Sequence, residues 1–172
     1  WQQYVHTSLF ILSKQISSNN LTDSNPAINL ANWITKIPLI YYPNGLQSAA
    51  VRLKSALQEN SKIHAIAEDV IEACHNGIVA WENPSTVQPI LLEGADDYIK
   101  TKERFSIVEK YFKENKIDFQ IINSVDGNIL TKIISLIYLF DYVSIYKAIM
   151  LQTDPTPVNS IDYIKSKIWI VS

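Results

Sequence analysis

The sequence predicts an α/β fold: a three-layer α/β/α sandwich in which helices cover both faces of a mostly parallel sheet. Three observations support this prediction. Short apolar runs alternate with longer amphipathic stretches, which is the pattern of repeated strand–helix units. The runs are apolar at nearly every position, as in strands that are buried on both faces. The 172 residues, 47% hydrophobic and 19% charged, suffice for one globular domain with a substantial core.

Element boundaries are clearest in the first third of the chain. Residues 1–15 have helical spacing of apolar residues and then give way to a Ser-Ser-Asn-Asn segment. A polar cap and an early proline at 24–26 predict a second helix, which continues to about residue 36. Residues 37–42 predict a buried strand, and the Pro-Asn-Gly turn after it leads into a helix over 47–60.

The middle of the chain predicts further strand–helix units. Residues 63–67 form a weaker strand candidate, and 68–74 form one or two helical turns. Residues 89–92 and 117–122 predict two more apolar strands on either side of a long amphipathic helix over 96–116. We expect Asp96 and Asp97 to cap that helix. The residues expected on its inner face are Tyr98, Phe105, Val108 and Phe112.

The apolar stretch 130–151 predicts a long buried helix, and residues 161–168 predict a last helix. Lys132, Asp141 and Lys147 interrupt the apolar stretch, and each central charge costs roughly 2.5–3.5 kcal/mol in a bilayer. We therefore expect no membrane association. In sheets of this type the site lies at the carboxyl ends of the strands, where the loops 42–46 and 93–96 are expected to gather.

The composition argues against several classes of function. The net charge is −2 and the basic residues form no cluster, so no nucleic-acid partner is predicted. The single cysteine, Cys74, excludes an intrachain disulfide and a multi-cysteine zinc site, and it fits a cytoplasmic protein. The three histidines lack a carboxylate pattern at ligand spacing, so no metal is expected. No glycine-rich nucleotide loop is present, so no cofactor is expected either.

Glu59 and His75 are the most informative pair, 75 − 59 = 16 positions apart. A carboxylate base and an imidazole are the minimum equipment for moving protons on a sugar carbon and its ring oxygen. Structural roles remain open for both residues. Glu59 would also suit a solvated helix end, and His75 the start of a His-Asn-Gly helix stop. A thiol enzyme that uses Cys74 with His75 is a third, weaker alternative, because adjacent residues rarely form a productive pair.

The residues around this pair resemble a known family. The first block contains Ile37-Pro38, Gly45, Ala49-Ala50, Arg52, Lys54, Glu59-Asn60 and Lys62. The second block contains His75-Asn76, Ile78-Val79 and Trp81-Glu82. Supporting matches are Ile137-Tyr138-Leu139, Asp141, Ser144, Asp154, Pro157-Val158, Ile161 and Ile164-Lys165. Together they resemble the C-terminal half of the bifunctional phosphoglucose/phosphomannose isomerases, members of the sugar isomerase (SIS) domain superfamily.

The resemblance implies an SIS-type, flavodoxin-like domain over residues 21–172, with residues 1–20 as a linker helix from a missing N-terminal half. It also implies isomerisation of glucose 6-phosphate or mannose 6-phosphate to fructose 6-phosphate through a cis-enediol, without a metal. Glu59 would be the base, and His75 would assist ring opening, reaching a neighbouring subunit's site in a homodimer. Lys165 would lie by the sugar hydroxyls or ring oxygen. The implied substrate-binding residues are Arg52, Asn60 and Asn76.

The chain departs from the family pattern at three points. Gln58 precedes Glu59 where the family has Asn, and Ile71 stands where the family tends to have Pro. More important, the family's phosphate-binding loops and an arginine for the enediolate belong to an N-terminal SIS half that is not in this sequence. Two functions therefore remain open. One is an isomerase portion that works with such a half, and the other is a non-catalytic SIS module that binds a phosphosugar as a sensor or interaction domain.

Overall fold

The computed structural model describes residues 2–168, so the predicted helix start at residue 1 lies outside the described residues. Two short 3-10 helices cover Asn44–Leu46 and Gly77–Glu82. The helices and strands, in chain order, are α1 (Gln2–Ile16), α2 (Pro26–Trp33), β1 (Ile37–Tyr42), α3 (Gln47–Asn60), β2 (Ile66–Asp69), α4 (Val70–Ala73), β3 (Val87–Glu93), α5 (Ile99–Glu114), β4 (Gln120–Asn123), α6 (Ile129–Met150) and α7 (Asn159–Ile168).

Within the described residues, β1 to β4 form one parallel sheet in the order β2-β1-β3-β4. The register pairs Tyr42 with Asp69, Tyr41 with Leu91, and Leu92 with Ile122. After β1 the chain moves outward to β2, and after β2 it crosses back to β3 on the other side of β1. The prediction of a mostly parallel sheet is confirmed.

Two apolar cores lie on opposite faces of the sheet. Ile40 and Leu92 point into the core formed with α1, α2, α3 and α6. Their neighbours in the strands, Tyr41 and Leu91, point into the core formed with α4 and α5, where Phe112 is fully buried. This alternation follows from the period-two geometry of a strand and confirms the three-layer arrangement.

α6 is the main packing helix of the first core. Its length and composition would allow it to cross a membrane, but here it packs against α1, α2 and α3. The Tyr146 hydroxyl donates a hydrogen bond of 2.7 Å to the Ile16 carbonyl, which fixes α6 against the end of α1. The prediction of a buried core helix is confirmed.

Two strands begin later than predicted, and the cause is the same in both. Lys62 and Lys116 have left-handed backbones, with φ of 57° and 56°. The next residue in each case, Ile63 or Ile117, still donates its N–H to a carbonyl of the preceding helix. Such closing bonds are typical of helix C-termini and keep those residues out of the sheet ladder. β2 therefore starts at residue 66 and β4 at residue 120.

The predicted start of α5 is also wrong. The helix begins at Ile99, and Tyr98 is 71% exposed instead of facing inward. Asp97 accepts a hydrogen bond of 2.8 Å from the Gly94 N–H, and Asp96 pairs with Lys132 at 2.6 Å. Both carboxylates therefore hold the loop before the helix and do not cap the helix itself.

Candidate active site

Glu59 lies in the last turn of α3, with its side chain exposed. α3 starts just beyond the carboxyl end of β1 and runs back along the sheet for about 21 Å, at 1.5 Å per residue. The helix therefore carries Glu59 to the amino edge of the sheet. The expectation that the site lies at the carboxyl ends of the strands does not hold for this residue.

A surface pocket of about 770 Å³ surrounds Glu59, and we call it the Glu59 pocket. One wall is the end of α3, and the other is formed by residues between 153 and 161, at the start of α7. The Lys62 ammonium donates hydrogen bonds to the carbonyls of Glu59 at 2.6 Å and Pro155 at 3.3 Å. Lys62 thus ties the two walls together while leaving the Glu59 carboxylate free of that contact.

Contacts between α3 and α6 fix the position of Glu59. Arg52 Nε donates to Asp141 Oδ1 at 2.7 Å, an interaction that raises the pKa of the guanidinium further. One residue beyond Glu59, Asn60 Nδ2 donates to Ser144 Oγ at 2.8 Å. The matches at Asp141 and Ser144 therefore have a structural reason. Arg52 and Asn60 hold α3 in place, and their role in substrate binding stays a prediction.

His75 lies at the opposite edge of the sheet, because it follows the carboxyl end of β2 and the short α4. Its side chain is exposed, and its backbone N–H donates to the Glu72 carbonyl at 2.9 Å. The Asn76 side chain donates to Glu72 Oε1 at 3.2 Å. Across the described residues, Glu59 and His75 share no contact and no pocket. A single chain does not bring the two together.

Lys165 extends from α7, a helix without a buried residue. Ile161 lines the Glu59 pocket, and Lys165 is one helical turn beyond it, about 6 Å along the axis. Both residues fall on the same helix face. Lys165 is therefore adjacent to the pocket without lining it.

Cys74 is half-buried, and burial raises the pKa of its thiol. A thiolate is the reactive form of cysteine, so a raised pKa weakens it as a nucleophile. This argues against a thiol enzyme that uses Cys74 with His75.

The loops at the carboxyl edge gather as the sequence predicts. Gly45, Asp96 and Asn128, from the loops after β1, β3 and β4, line a pocket of about 360 Å³. Its floor includes Lys132, whose side chain is 7% exposed and pairs with the exposed Asp96. Neither Glu59 nor His75 lines this pocket.

Glu93 is a titratable group that the sequence pattern did not single out. It ends β3, and burial, followed by the charges of Glu109 and Asp97, raises its pKa to about 7. Its Oε1 atom is buried without a hydrogen-bond partner. The only sequence signal for it is an acidic residue at the end of an apolar run.

Comparisons with known proteins support the family resemblance. Residues 23–168 match the model for the bacterial phospho-glucose isomerase C-terminal SIS domain. A bifunctional phosphoglucose/phosphomannose isomerase from Caldicellulosiruptor bescii is 35% identical over 81% of this chain and 44% of its own length. The protein of the same name from Aquifex aeolicus is 27% identical over 77% of this chain and 42% of its own length. The chain thus spans less than half the length of these two relatives.

Solved structures support the fold. A glucose-6-phosphate isomerase-like protein from Thermus thermophilus superposes with a TM-score of 0.72 at 16% identity, covering 89% of this chain and 51% of its own. A putative sugar-phosphate isomerase from Listeria monocytogenes gives 0.58 at 11% identity, covering 88% of this chain and 91% of its own. At these identities the likeness concerns the fold alone.

Proposed function

The chain belongs to the family of bacterial phospho-glucose isomerase C-terminal SIS domains, and from this we propose that it supplies the Glu59 side of a hexose phosphate isomerase site. The proposed reaction interconverts glucose 6-phosphate or mannose 6-phosphate with fructose 6-phosphate. The names of the relatives support this substrate class. A cytoplasmic location is part of the proposal, since those names describe enzymes of sugar metabolism.

In the proposed mechanism the Glu59 carboxylate removes the proton from C2 of the open-chain aldose. The electron pair left on C2 forms the C1–C2 double bond of a cis-enediol, and the C1 oxygen takes up a proton. Loss of the proton from the C2 oxygen then forms the ketone, while Glu59 returns its proton to C1. A carboxylate held in place lowers the barrier because it needs no reorganisation as the proton moves.

The proposed site is completed by other parts of the enzyme. His75 assists ring opening in the site of a second copy, because its own chain holds it at the edge opposite Glu59. Lys165 approaches the sugar hydroxyls or ring oxygen from α7, and Asn76 accompanies His75. The phosphate is held by an N-terminal SIS half, which agrees with relatives more than twice as long as the matched segment.

The observation that carries the proposal is the Glu59 pocket itself. A catalytic base needs a fixed backbone, a free carboxylate and space for a substrate. Arg52 and Asn60 fix the backbone, the pocket provides about 770 Å³, and the carboxylate faces it without an ion pair among the described salt bridges. A helix C-terminus disfavours a carboxylate, by about 0.3–1 kcal/mol at an exposed position, so Glu59 is mildly unfavourable for the stability of α3.

A coupled assay for fructose 6-phosphate, with and without an added N-terminal SIS half, tests the proposal. We expect turnover only when that half is present. Glu59→Gln should lower kcat by about 10²–10⁴-fold, the range that loss of a general base produces, with KM nearly unchanged. The matched control is Glu114→Gln, at an exposed position of α5, which should keep full activity. A wild-type rate for Glu59→Gln would contradict the assignment.

A phosphosugar-binding module without catalysis is the second candidate function. It is favoured by one observation: Glu59 and His75 lie at opposite edges of the sheet, so one chain alone does not bring the two proton-transfer groups together. Solvent deuterium separates the two functions. Deuterium entering C2 of glucose 6-phosphate in the presence of the supplied half supports the isomerase, and saturable sugar phosphate binding without exchange supports the module.

A further inference from the structure

We propose that a second pocket, at the amino edge of the sheet, binds an organic phosphate anion. The pocket has a volume of about 750 Å³ and lies between the end of α2, the segment that follows α3, and the last turn of α6. We call it the basic pocket, because Lys36, Lys62, His64 and Lys147 all line it. Of these four residues, only Lys62 also lines the Glu59 pocket.

The charges in the basic pocket form no ion pair among the described salt bridges, although Lys62 also acts on Asp154 in the neighbouring Glu59 pocket, where a backbone hydrogen bond and the charge of Lys62 help to lower the pKa of that carboxyl. None of its lining residues is an aspartate or glutamate. Lys36 donates to the Ser85 carbonyl at 3.3 Å, and Lys62 donates to two carbonyls. None of the three lysines, Lys36, Lys62 and Lys147, takes part in a described salt bridge. Hydrogen bonds to neutral carbonyls orient an ammonium without cancelling its charge. The pocket therefore presents a concentrated positive potential.

Lys147 is the strongest indication of a missing anion. Only 8% of its surface is exposed, near the end of α6; its ammonium is not fully buried, and no hydrogen bond or ion pair of that ammonium is found in the described part of the chain. Burial lowers its pKa, so the charged form is destabilised by its surroundings. The dipole at the end of α6 offsets part of this cost. An anion in the pocket would supply the partner that a buried charge normally has.

The lining defines the class of ligand. Lysine ammonium groups bind phosphate oxygens as point charges, and three of them suit a group with more than one negative charge. Ile34, Ile63 and Leu151 add an apolar wall, which suits a ligand with an organic body beside the phosphate. The volume is in the usual range for small-molecule sites, about 300–1,000 Å³. Adenosine 5′-monophosphate and inorganic phosphate are probes with and without such a body.

Calorimetric titration of the protein at about 150 mM salt, where exposed charges are screened, tests the proposal. We expect saturable 1:1 binding of adenosine 5′-monophosphate that is tighter than that of inorganic phosphate. Lys147→Met should weaken it at least tenfold. Lys110→Met removes the same charge from an exposed position on α5 and should change the affinity less than twofold. No saturable binding, equal weakening in both variants, or an unchanged affinity in Lys147→Met would overturn the proposal.

Two further measurements keep the test independent of folding and of isomerase activity. Removing a charge that its surroundings destabilise should raise the thermal midpoint of Lys147→Met without ligand, so loss of binding cannot be explained by unfolding. The histidines report the location of the ligand. The imidazole NMR signals of His64 should shift with the same Kd as the calorimetry, while those of His75 should not. Equal shifts of both histidines, or a lowered thermal midpoint of Lys147→Met, would count against the basic pocket.

Discussion

Replacing Glu93 by Gln should stabilise the protein at pH 8 and leave its stability nearly unchanged at pH 4. The carboxyl group is half-buried at the end of β3, and its Oε1 atom has no hydrogen-bond partner. Burial, together with the charges of Glu109 and Asp97, raises its pKa from the ordinary 4.5 to about 7, and Lys113 opposes that rise. The folded state therefore favours the protonated form.

The direction of the pH effect follows from this raised pKa. The stability contributed by the neutral carboxyl is fully present below about pH 4.5 and is lost as the pH rises through about 7. A change from 4.5 to about 7 corresponds to roughly 3 kcal/mol, at about 1.4 kcal/mol per pKa unit. Because the group is half exposed, solvent screening reduces this to roughly 1–2 kcal/mol. Glutamine carries no charge and avoids that cost.

Urea denaturation of the wild type and of Glu93→Gln at pH 4, 6 and 8 measures the effect. The free energy of unfolding of the variant should exceed that of the wild type by about 1–2 kcal/mol at pH 8, with the difference shrinking toward pH 4. Glu114→Gln, an exposed change of the same kind on α5, should show no such trend. A difference that is constant with pH, or a variant that is less stable at pH 8, would refute the reasoning.

Two further predictions concern the packing that supports the site. Tyr41→Phe removes the acceptor of the 2.9 Å hydrogen bond from Trp81 Nε1 and should lower the free energy of unfolding by about 1–3 kcal/mol. Tyr163→Phe, the control on exposed α7, should leave the free energy of unfolding unchanged in the same urea titration. Ser144→Ala removes the acceptor of the Asn60 amide and should cost about 1–2 kcal/mol while lowering kcat more than it raises KM. A stability loss with unchanged kcat would show that this hydrogen bond does not position Glu59.

The fold could be predicted because its signal is local. The run at β1 is apolar at every position since helices cover both faces of the sheet, and the sequence shows this directly. The starts of β2 and β4 could not be predicted, because they depend on left-handed backbones at Lys62 and Lys116. Lysine has no preference for that conformation, so a lysine in the sequence does not predict a helix end. Glycine at the same positions would have marked both helix ends.

The candidate site was only partly accessible from the sequence. The family motifs pointed to Glu59 and His75 as candidates, but their separation along the chain does not tell at which edge of the sheet each residue lies. That information came from β2, which crosses the sheet between the two residues. The buried state of Lys147 was also hidden, because Ile34 and Ile63, distant in sequence, form the pocket around it. The surroundings of a side chain that are formed by segments distant in sequence can be seen only in the three-dimensional structure.

A shared site between two copies of the chain is most directly tested by mixing two inactive variants, Glu59→Gln and His75→Asn, with an N-terminal half supplied. Random reassociation makes half of the dimers mixed, and each mixed dimer has one site with both wild-type residues, so about a quarter of the wild-type activity should return. If Glu59 and His75 instead act within one chain, every site keeps one defective residue. An activity that stays at the level of the separate variants would contradict the shared site.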